Sequence, residues 1–445
     1  MNLNNQFSKI NLWQSYLNVW ANMAVIQSEL KIIPDWAGKE IAKNCLIENI
    51  NIKNVDKRQK KNKRLILSLA EELSVNCGEA GAYVHWGGTT RNIIETGYTL
   101  IIKESYKILL HNLSEIMTKL SGLSDDYSST PMLGRTLKRN ALPITFGFKV
   151  SGWIDELSRL IERLNEAEKR VFSLKFGGAV GAMHGFGDQS LKFTQLLANK
   201  LNLTNILVPN RTALDTRIEY VELLANLGMK VGKISNEIYS LMHESIDELK
   251  EIESKGQYGS STMPHKKNPF YTSSLVANCS ILRSKITLGL ESGLASHEGD
   301  VVSDKIIDNI TRDSCNLSEI ILKDFNNLLN ILFIDTQRME NNLMKTEDYI
   351  ASENLMLELA KFIGRNESHN LVHKIINSAL EKNNSIKEML INHKQINSHI
   401  SKDRIKYYLN PKNYIGQSII LSKRLSKNAS KISKKITERL DELNA

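Results

Sequence analysis

The stretch Gly259-Ser260-Ser261-Thr262-Met263-Pro264-His265-Lys266-Lys267-Asn268-Pro269 places two serine hydroxyls, a lysine and an amide close together in the chain. A serine acts as a base only where its alkoxide is stabilised. A loop of backbone N–H groups with a lysine a few residues on supplies that stabilisation. The glycines at 256 and 259 and the prolines at 264 and 269 interrupt runs suited to helices on both sides. Irregular backbone in a helical chain is disproportionately functional. On composition alone, the same residues also describe a plain helix-to-helix connection rich in turn formers.

Two other segments have the same character. His85-Trp86-Gly87-Gly88-Thr89-Thr90-Arg91-Asn92 offers glycines that let backbone N–H groups face a ligand and two hydroxyls that can donate to a carboxylate. Gly134-Arg135-Thr136-Leu137-Lys138-Arg139-Asn140 runs on through Pro143 to Gly147. Taken singly, both are ordinary turn compositions.

Taken in order, the three segments resemble the fumarase/aspartase superfamily. The third matches its signature Gly-Ser-Ser-x-Met-Pro-x-Lys-x-Asn at every fixed position, and the first is similar to His-x-Gly-x-Thr-Ser-x-Asp, with Thr90 for serine and Asn92 for aspartate. The second is similar to Gly-Arg-Thr-His-x-x-x-Ala-x-Pro-x-Thr-Phe-Gly. Here Leu137 stands for the histidine, and Ser273 stands for the glutamate that partners it. Gly364-Arg365, His369, Val372, Asn410-Pro411, Tyr414 and Gly416 look like the adenylosuccinate lyase and 3-carboxy-cis,cis-muconate cycloisomerase branch.

The resemblance implies removal of a proton from the carbon beside a carboxylate, with loss of a group from the next carbon, or the reverse addition. It implies Ser260 as base, with Lys266 and Asn268 binding the carboxylate that takes up charge. His85, Thr89, Thr90, Thr136, Ser261 and Met263 would bind substrate. No metal or organic cofactor is implied. The acid is open between water, His85, and Lys138 or Asn140. Cycloisomerases of this branch also tend to lack the His–Glu relay, and a carboxylate leaving group needs no proton, whereas an amine usually does. The expected function is therefore a cycloisomerase-like lyase acting on a small di- or tricarboxylate. The alternatives are a fumarate-releasing C–N lyase similar to adenylosuccinate lyase, or a non-catalytic anion-binding relative. Asp304 and Asp308, in a stretch where a phosphate would need cations, argue against a nucleotide substrate.

These segments need rigid supports, and the hydrophobic periodicity supplies them. Trp13, Leu17, Trp20 and Val25 recur at helical spacing before Pro34. Further helical runs cover Leu65–Leu73, Ile93–Leu123, Gly147–Phe172, Ile218–Leu249, Phe270–Gly289 and Asp304–Leu332, with a loop expected at Ser124–Met132. Strand-like alternation is scarce. The expected fold is all-α: an N-terminal helical domain over 1–94, a central bundle over 95–345, and a C-terminal region of short helices over 346–445. The chain has 445 residues, 41% of them hydrophobic and 24% charged, which suits a protein with a sizeable core. The formal charge of +9 is spread over interleaved Lys, Glu, Asp and Asn. No basic run interleaves with aromatics, so nucleic acid is not an expected partner. Neither is a membrane, since no run reaches the roughly 18 apolar residues of a span. Cys45, Cys77, Cys279 and Cys315 lack metal or redox spacing and read as reduced core residues, which fits the cytoplasm. The resemblance implies a homotetramer in which different subunits complete each site.

Overall fold

The computed structural model describes residues 6–252, 262, 263 and 265–444. Helices dominate these residues, as the periodicity predicts. The chain opens with α1 (Lys9–Glu29), α2 (Asp35–Asn44), α3 (Ile52–Asn62) and α4 (Leu65–Asn76), followed by the long α5 (Thr90–Asp126). A hairpin of β1 (Pro131–Thr136) and β2 (Arg139–Thr145) leads into α6 (Phe146–Val171). Next come β3 (Ser173–Leu174), α7 (Ser190–Lys200), β4 (Thr204–Asn205), α8 (Asp215–Leu241) and β5 (Leu249–Glu251). Then follow α9 (Phe270–Ser292), α10 (Val301–Ile331), β6 (Leu332–Ile334), α11 (Thr336–Met344), α12 (Ser352–Ile363) and α13 (Arg365–Glu381). The chain closes with α14 (Ile386–Asn392), α15 (Lys394–Asn397), α16 (Lys402–Leu409) and α17 (Ser418–Asn444).

Local chemistry sets the ends of these helices. Ser8 caps α1 by accepting the Asn11 N–H at 3.2 Å, Pro34 precedes α2, and Gly364 at φ +80° separates α12 from α13. The helix expected over Ile218–Leu249 ends at Leu241, because a turn intervenes and Leu249 pairs as a strand with Ile334. The loop expected at Ser124–Met132 is shorter. Helix α5 continues to Asp126, and Pro131 already pairs with Thr145.

Compact packing divides the chain into two units, each assembled from separate stretches. The first holds residues 1–111, 159–231 and 277–323. Its core includes Trp13, Leu17, Trp20 and Met23 of α1, so both tryptophans are packing residues. Helices α1 and α2 approach so closely that a Cβ on Gly38 would lie 2.6 Å from Ser28 Cβ and 2.7 Å from the Ala24 carbonyl oxygen.

The second unit holds residues 112–158, 232–276 and 324–445. Its short C-terminal helices α12–α16 bury a cluster of their own that includes Leu355, Leu359, Val372, Ile375, Leu390 and Ile405. Helix α17 is longer than the short-helix pattern predicted. Its lysines face outward, while Ser422, Ser426, Ser430 and Ser433 meet Ser114, Thr118, Ser121 and Ser124 of α5 in a hydroxyl-lined seam. Small side chains let two helices pack closely, and the hydroxyls bond across the seam except that of Ser422, which donates to the Ser418 carbonyl of its own helix. All four cysteines are free and buried, and burial pushes their thiols up, Cys77 to about 11. They are core residues and not nucleophiles.

Replacing Gly38 with Ala should force α1 and α2 apart and lower stability by about 1–3 kcal/mol, read from the urea midpoint. A parental midpoint would show that this approach is not rigid.

Candidate active site

The first segment sits in the first unit, between α4 and α5. After a 3₁₀ turn over Gly78–Tyr83 the backbone enters the left-handed region at His85 (φ +63°) and again at Gly87 (φ +74°). Gly87 is pressed against a second glycine: a Cβ there would lie 2.7 Å from the Phe186 ring and 3.0 Å from the Gly185 carbonyl oxygen. Only glycine fits such a crossing. Two hydrogen bonds from α1 hold the segment. Trp20 Nε1 donates to His85 Nδ1 at 3.1 Å, and Gln27 Nε2 donates to the Trp86 carbonyl at 2.8 Å.

Asn92 ties the segment to the rest of the unit. Its buried Oδ1 accepts from the backbone N–H of Thr89 (3.3 Å) and of Gly178 (3.0 Å), while its Nδ2 donates to the Lys175 carbonyl at 3.3 Å. A carboxylate here would lack that donor, which gives Asn92 a structural reason at the position where the resemblance has aspartate. His85, Thr89 and Thr90 thus gather at the start of α5. Among the described residues none bonds the hydroxyl of Thr89 or Thr90.

Beneath them lies a buried ionic network. Arg91 pairs with Glu95 (2.5 Å), Asp304 (3.1 Å) and Asp308 (2.8 Å), and Arg217 pairs with Glu95 (3.0 Å) and Asp308 (2.8 Å). Arg211 reaches Asp304 at 3.4 Å. Burial alone would raise the Glu95 carboxyl, but Arg217, Arg91 and Lys175 hold it at about 2. Burial raises the Asp304 carboxyl against the pull of Arg91 and Arg211. Asp304 and Asp308 are therefore matched by internal guanidinium groups, so their charge faces the protein's own cations.

The other two segments lie in the second unit. In the β-hairpin, Arg135 donates two parallel bonds to Glu248, at 2.9 and 2.7 Å, and Asn342 Nδ2 donates to the same carboxylate at 3.0 Å. Glu248 is completely buried, so these partners are what make its charge tolerable. Thr136 lies exposed beside the tip. The tip itself is Leu137 and Lys138, both at positive φ (+50° and +59°), as a two-residue type I′ turn requires. Neither residue suits that conformation, at a cost on the order of 1 kcal/mol each. Leu137 is 96% exposed. An apolar side chain therefore occupies the position where the resemblance places an acid.

The signature stretch begins after β5 and ends at α9. Ser260, Ser261, Pro264 and the glycines at 256 and 259 lie outside the described residues. Lys266 and Asn268 are exposed on the approach to α9, and the Lys266 N–H donates to the Met263 carbonyl at 2.9 Å. Glu251, the last residue of β5, accepts from the backbone N–H groups of Phe270 (2.8 Å), Tyr271 (3.1 Å) and Thr272 (2.8 Å) and from the Thr272 hydroxyl (2.5 Å). It thereby fills the start of α9 with a negative charge, which the helix dipole favours, and joins the two ends of the stretch. Ser273 donates to the carbonyls of Pro269 and Phe270, so its hydroxyl serves its own helix. Sequence reasoning passed over Trp20, Glu248 and Glu251. Glu251 had a local signal, an acid on the near side of a loop whose far side starts a helix. Trp20 and Glu248 had none, because their partners are distant in sequence.

Residues 11–281 match the lyase family model, and residues 348–425 match the model of the adenylosuccinate lyase C-terminus. The chain belongs to the fumarase/aspartase superfamily of lyases. This lyase is 30% identical to the N-acetyl-S-(2-succino)cysteine lyase of Dickeya dadantii, over 93% of this chain and 91% of that protein. It is 31% identical to the adenylosuccinate lyase of Methanocaldococcus jannaschii, over 91% and 89%. The 3-carboxy-cis,cis-muconate lactonizing enzyme of Pseudomonas putida shares its fold, with a TM-score of 0.88 over 97% of each chain at 24% identity. No helix among the described residues of this lyase is long and apolar enough to cross a membrane.

The ionic network gives a pH test. Glu95 is held far below its ordinary 4.5, so its contribution is present above about pH 4.5 and is lost as pH falls toward 2. Glu95→Gln should cost about 3 kcal/mol at pH 7, and the gap to the parent should narrow below pH 4 in denaturant titrations. A pH-independent gap would mean that Glu95 is not held ionised by the arginines.

Proposed function

We propose that this lyase breaks a bond beta to a carboxylate in a small succinyl adduct, releasing fumarate, and that its leaving group departs as an anion, with a thiolate as the first choice. The observation that carries this reading is the fate of the two relay positions. Leu137 stands at an exposed hairpin tip and has no titratable group, and the Ser273 hydroxyl is taken up by its own helix. A leaving amine has to collect a proton, whereas a thiol with an ordinary pKa near 8.5 leaves readily as a thiolate. The 2-succino thioether in the name of the Dickeya relative fits that constraint.

In this reading Ser260 takes the proton from the carbon beside one carboxylate. The electron pair moves into the new double bond, and the carbon–sulfur pair leaves with sulfur. Lys266 and Asn268 hold the carboxylate that gathers charge on the way. Thr89, Thr90, Thr136, Ser261, Met263 and His85 hold the remaining substrate. A lactone-forming or lactone-opening reaction of a muconate-type acid meets the same constraint, because its leaving group is a carboxylate. The domain limits proposed from the sequence, 1–94, 95–345 and 346–445, set these segments in the first and central parts of the chain.

A homotetramer is part of the proposal. It is supported by α9, whose exposed positions Ser273, Ala277, Ser280, Ser284 and Thr287 step by four and three and carry no charge, with Ile281 and Leu288 exposed beside them. A helix face of that kind suits packing against another helix. A cytoplasmic location is supported by the four unpaired cysteines.

The test is a panel of N-acetyl-S-(2-succino)cysteine, adenylosuccinate and 3-carboxy-cis,cis-muconate, followed by ultraviolet absorbance. The thioether should be turned over and adenylosuccinate should not. Ser260→Ala should lower kcat by about 10²–10⁴-fold. Preferred turnover of adenylosuccinate would overturn the leaving-group argument, and full activity of Ser260→Ala would overturn the base.

A further inference from the structure

The bond between Trp20 and His85 constrains what His85 can do chemically. Trp20 lies in the core of α1, 1% exposed, and an indole N–H that deeply buried needs an acceptor. Its acceptor is His85 Nδ1 at 3.1 Å, with the two rings edge to face at 88° and 5.7 Å between centroids. Indole can only donate. The imidazole nitrogen facing it must therefore carry a lone pair, and the ring's single proton sits on Nε2. A flipped ring would aim a C–H at the indole N–H and strand it. The backbone at His85 is left-handed, shortly after the 3₁₀ turn that ends at Tyr83. Strained backbone of this kind persists where the surroundings fix it, often at functional sites.

We infer that Trp20 is a positioning residue that fixes His85 as the neutral tautomer with its proton on Nε2, so that His85 serves the site as a hydrogen-bond donor and neither gives up nor takes a proton. Taking a proton would require Nδ1 to turn an N–H toward the indole N–H. Giving one up would leave an imidazolate, and among the described residues no cation is recorded acting on the ring. The neighbours reinforce this. Met23, Phe176 and Phe186 pack against the adjoining glycines, Gln27 is uncharged and bonded to Trp86, and among the described residues no charged group offsets the burial that lowers the imidazole's basicity. Among the described residues nothing is bonded to Nε2, which leaves its N–H for a ligand oxygen. The tautomer stands on this geometry alone, and only the identity of the acceptor, a substrate carboxylate, rests on the lyase reading above. The inference removes His85 from the candidates for the acid.

The experiment reads His85 directly. Hydrogen–deuterium exchange at the imidazole C2 position, followed by mass spectrometry of the peptide that carries it, gives a titration midpoint for the intact protein. In the parent the midpoint should lie below the ordinary histidine value. In Trp20→Phe, which keeps an aromatic ring and removes the donor, it should rise by about one pH unit. An unchanged midpoint in folded Trp20→Phe overturns the inference. So does a parental midpoint at or above about 6.5, a measurement that needs no variant to fold.

Kinetics on whichever panel substrate is turned over supply the second reading. His85→Gln keeps a donor near the Nε2 position and should retain at least about tenfold more kcat/KM than His85→Leu, with the same pH profile as the parent. Equal loss in both variants would assign His85 a proton-transfer role and overturn the inference. If the parent turns over nothing, the lyase reading fails, while the exchange midpoints still decide the tautomer.

Discussion

A buried polar side chain that satisfies irregular backbone, or a guanidinium beside it, is the interaction on which the whole arrangement rests. Backbone N–H and C=O groups outside helices and strands have to be paired, or their burial costs more than a small loop can recover. Asn92 does this for the first segment, with two N–H groups on its oxygen and a carbonyl on its nitrogen. Glu248 does it for the hairpin through Arg135 and Asn342. Glu251 does it for the start of α9. Each of these residues is fixed to a long helix or to a strand next to one. Thr89 and Thr90 therefore sit beside backbone held by Asn92, and Lys266 and Asn268 precede a helix start held by Glu251.

Much of the fold was legible because long helices write a strong period into sequence. Trp13, Leu17 and Trp20, and Val221, Leu224, Val231, Ile234 and Ile238, are buried as their spacing implies. The hairpin was not legible. Its strands are short, Pro143 sits within one of them, and the residues at its tip, Leu137 and Lys138, are not turn formers. Helix α17 was masked by its lysines. Its packing face is a run of serines four apart, a pattern that hydropathy does not register but that small-residue spacing does.

The site was legible in a different way. The order of residues in the three segments pointed to a superfamily, and that rests on chemistry retained at fixed positions. The pairing of side chains from distant segments left no such trace. Asp304 and Asp308 read as charge opposed to a phosphate, yet Arg91, Arg211 and Arg217 neutralise them from positions far away in the chain. The charge of a residue is readable in sequence, but its partner is not, and for a buried ion the partner decides what the charge means.

Three observations bear on the missing acid, and they point the same way. Leu137 has nothing to donate, Ser273 is engaged by its own helix, and His85 is held neutral by a buried indole. An enzyme that had to protonate a leaving amine would have to draw the proton from elsewhere, from water, Lys138 or Asn140. An enzyme whose leaving group carries its own negative charge away needs only to stabilise charge where it gathers. In the proposed reaction that demand would fall to donors that need not titrate: the lysine and asparagine ahead of α9, the threonine hydroxyls at the start of α5, and the imidazole N–H of His85. Electrostatic stabilisation by groups already in place avoids reorganisation during the reaction, and a histidine that changed its protonation state with pH would weaken it. Locking His85 in one tautomer thus follows the same logic as the loss of the relay.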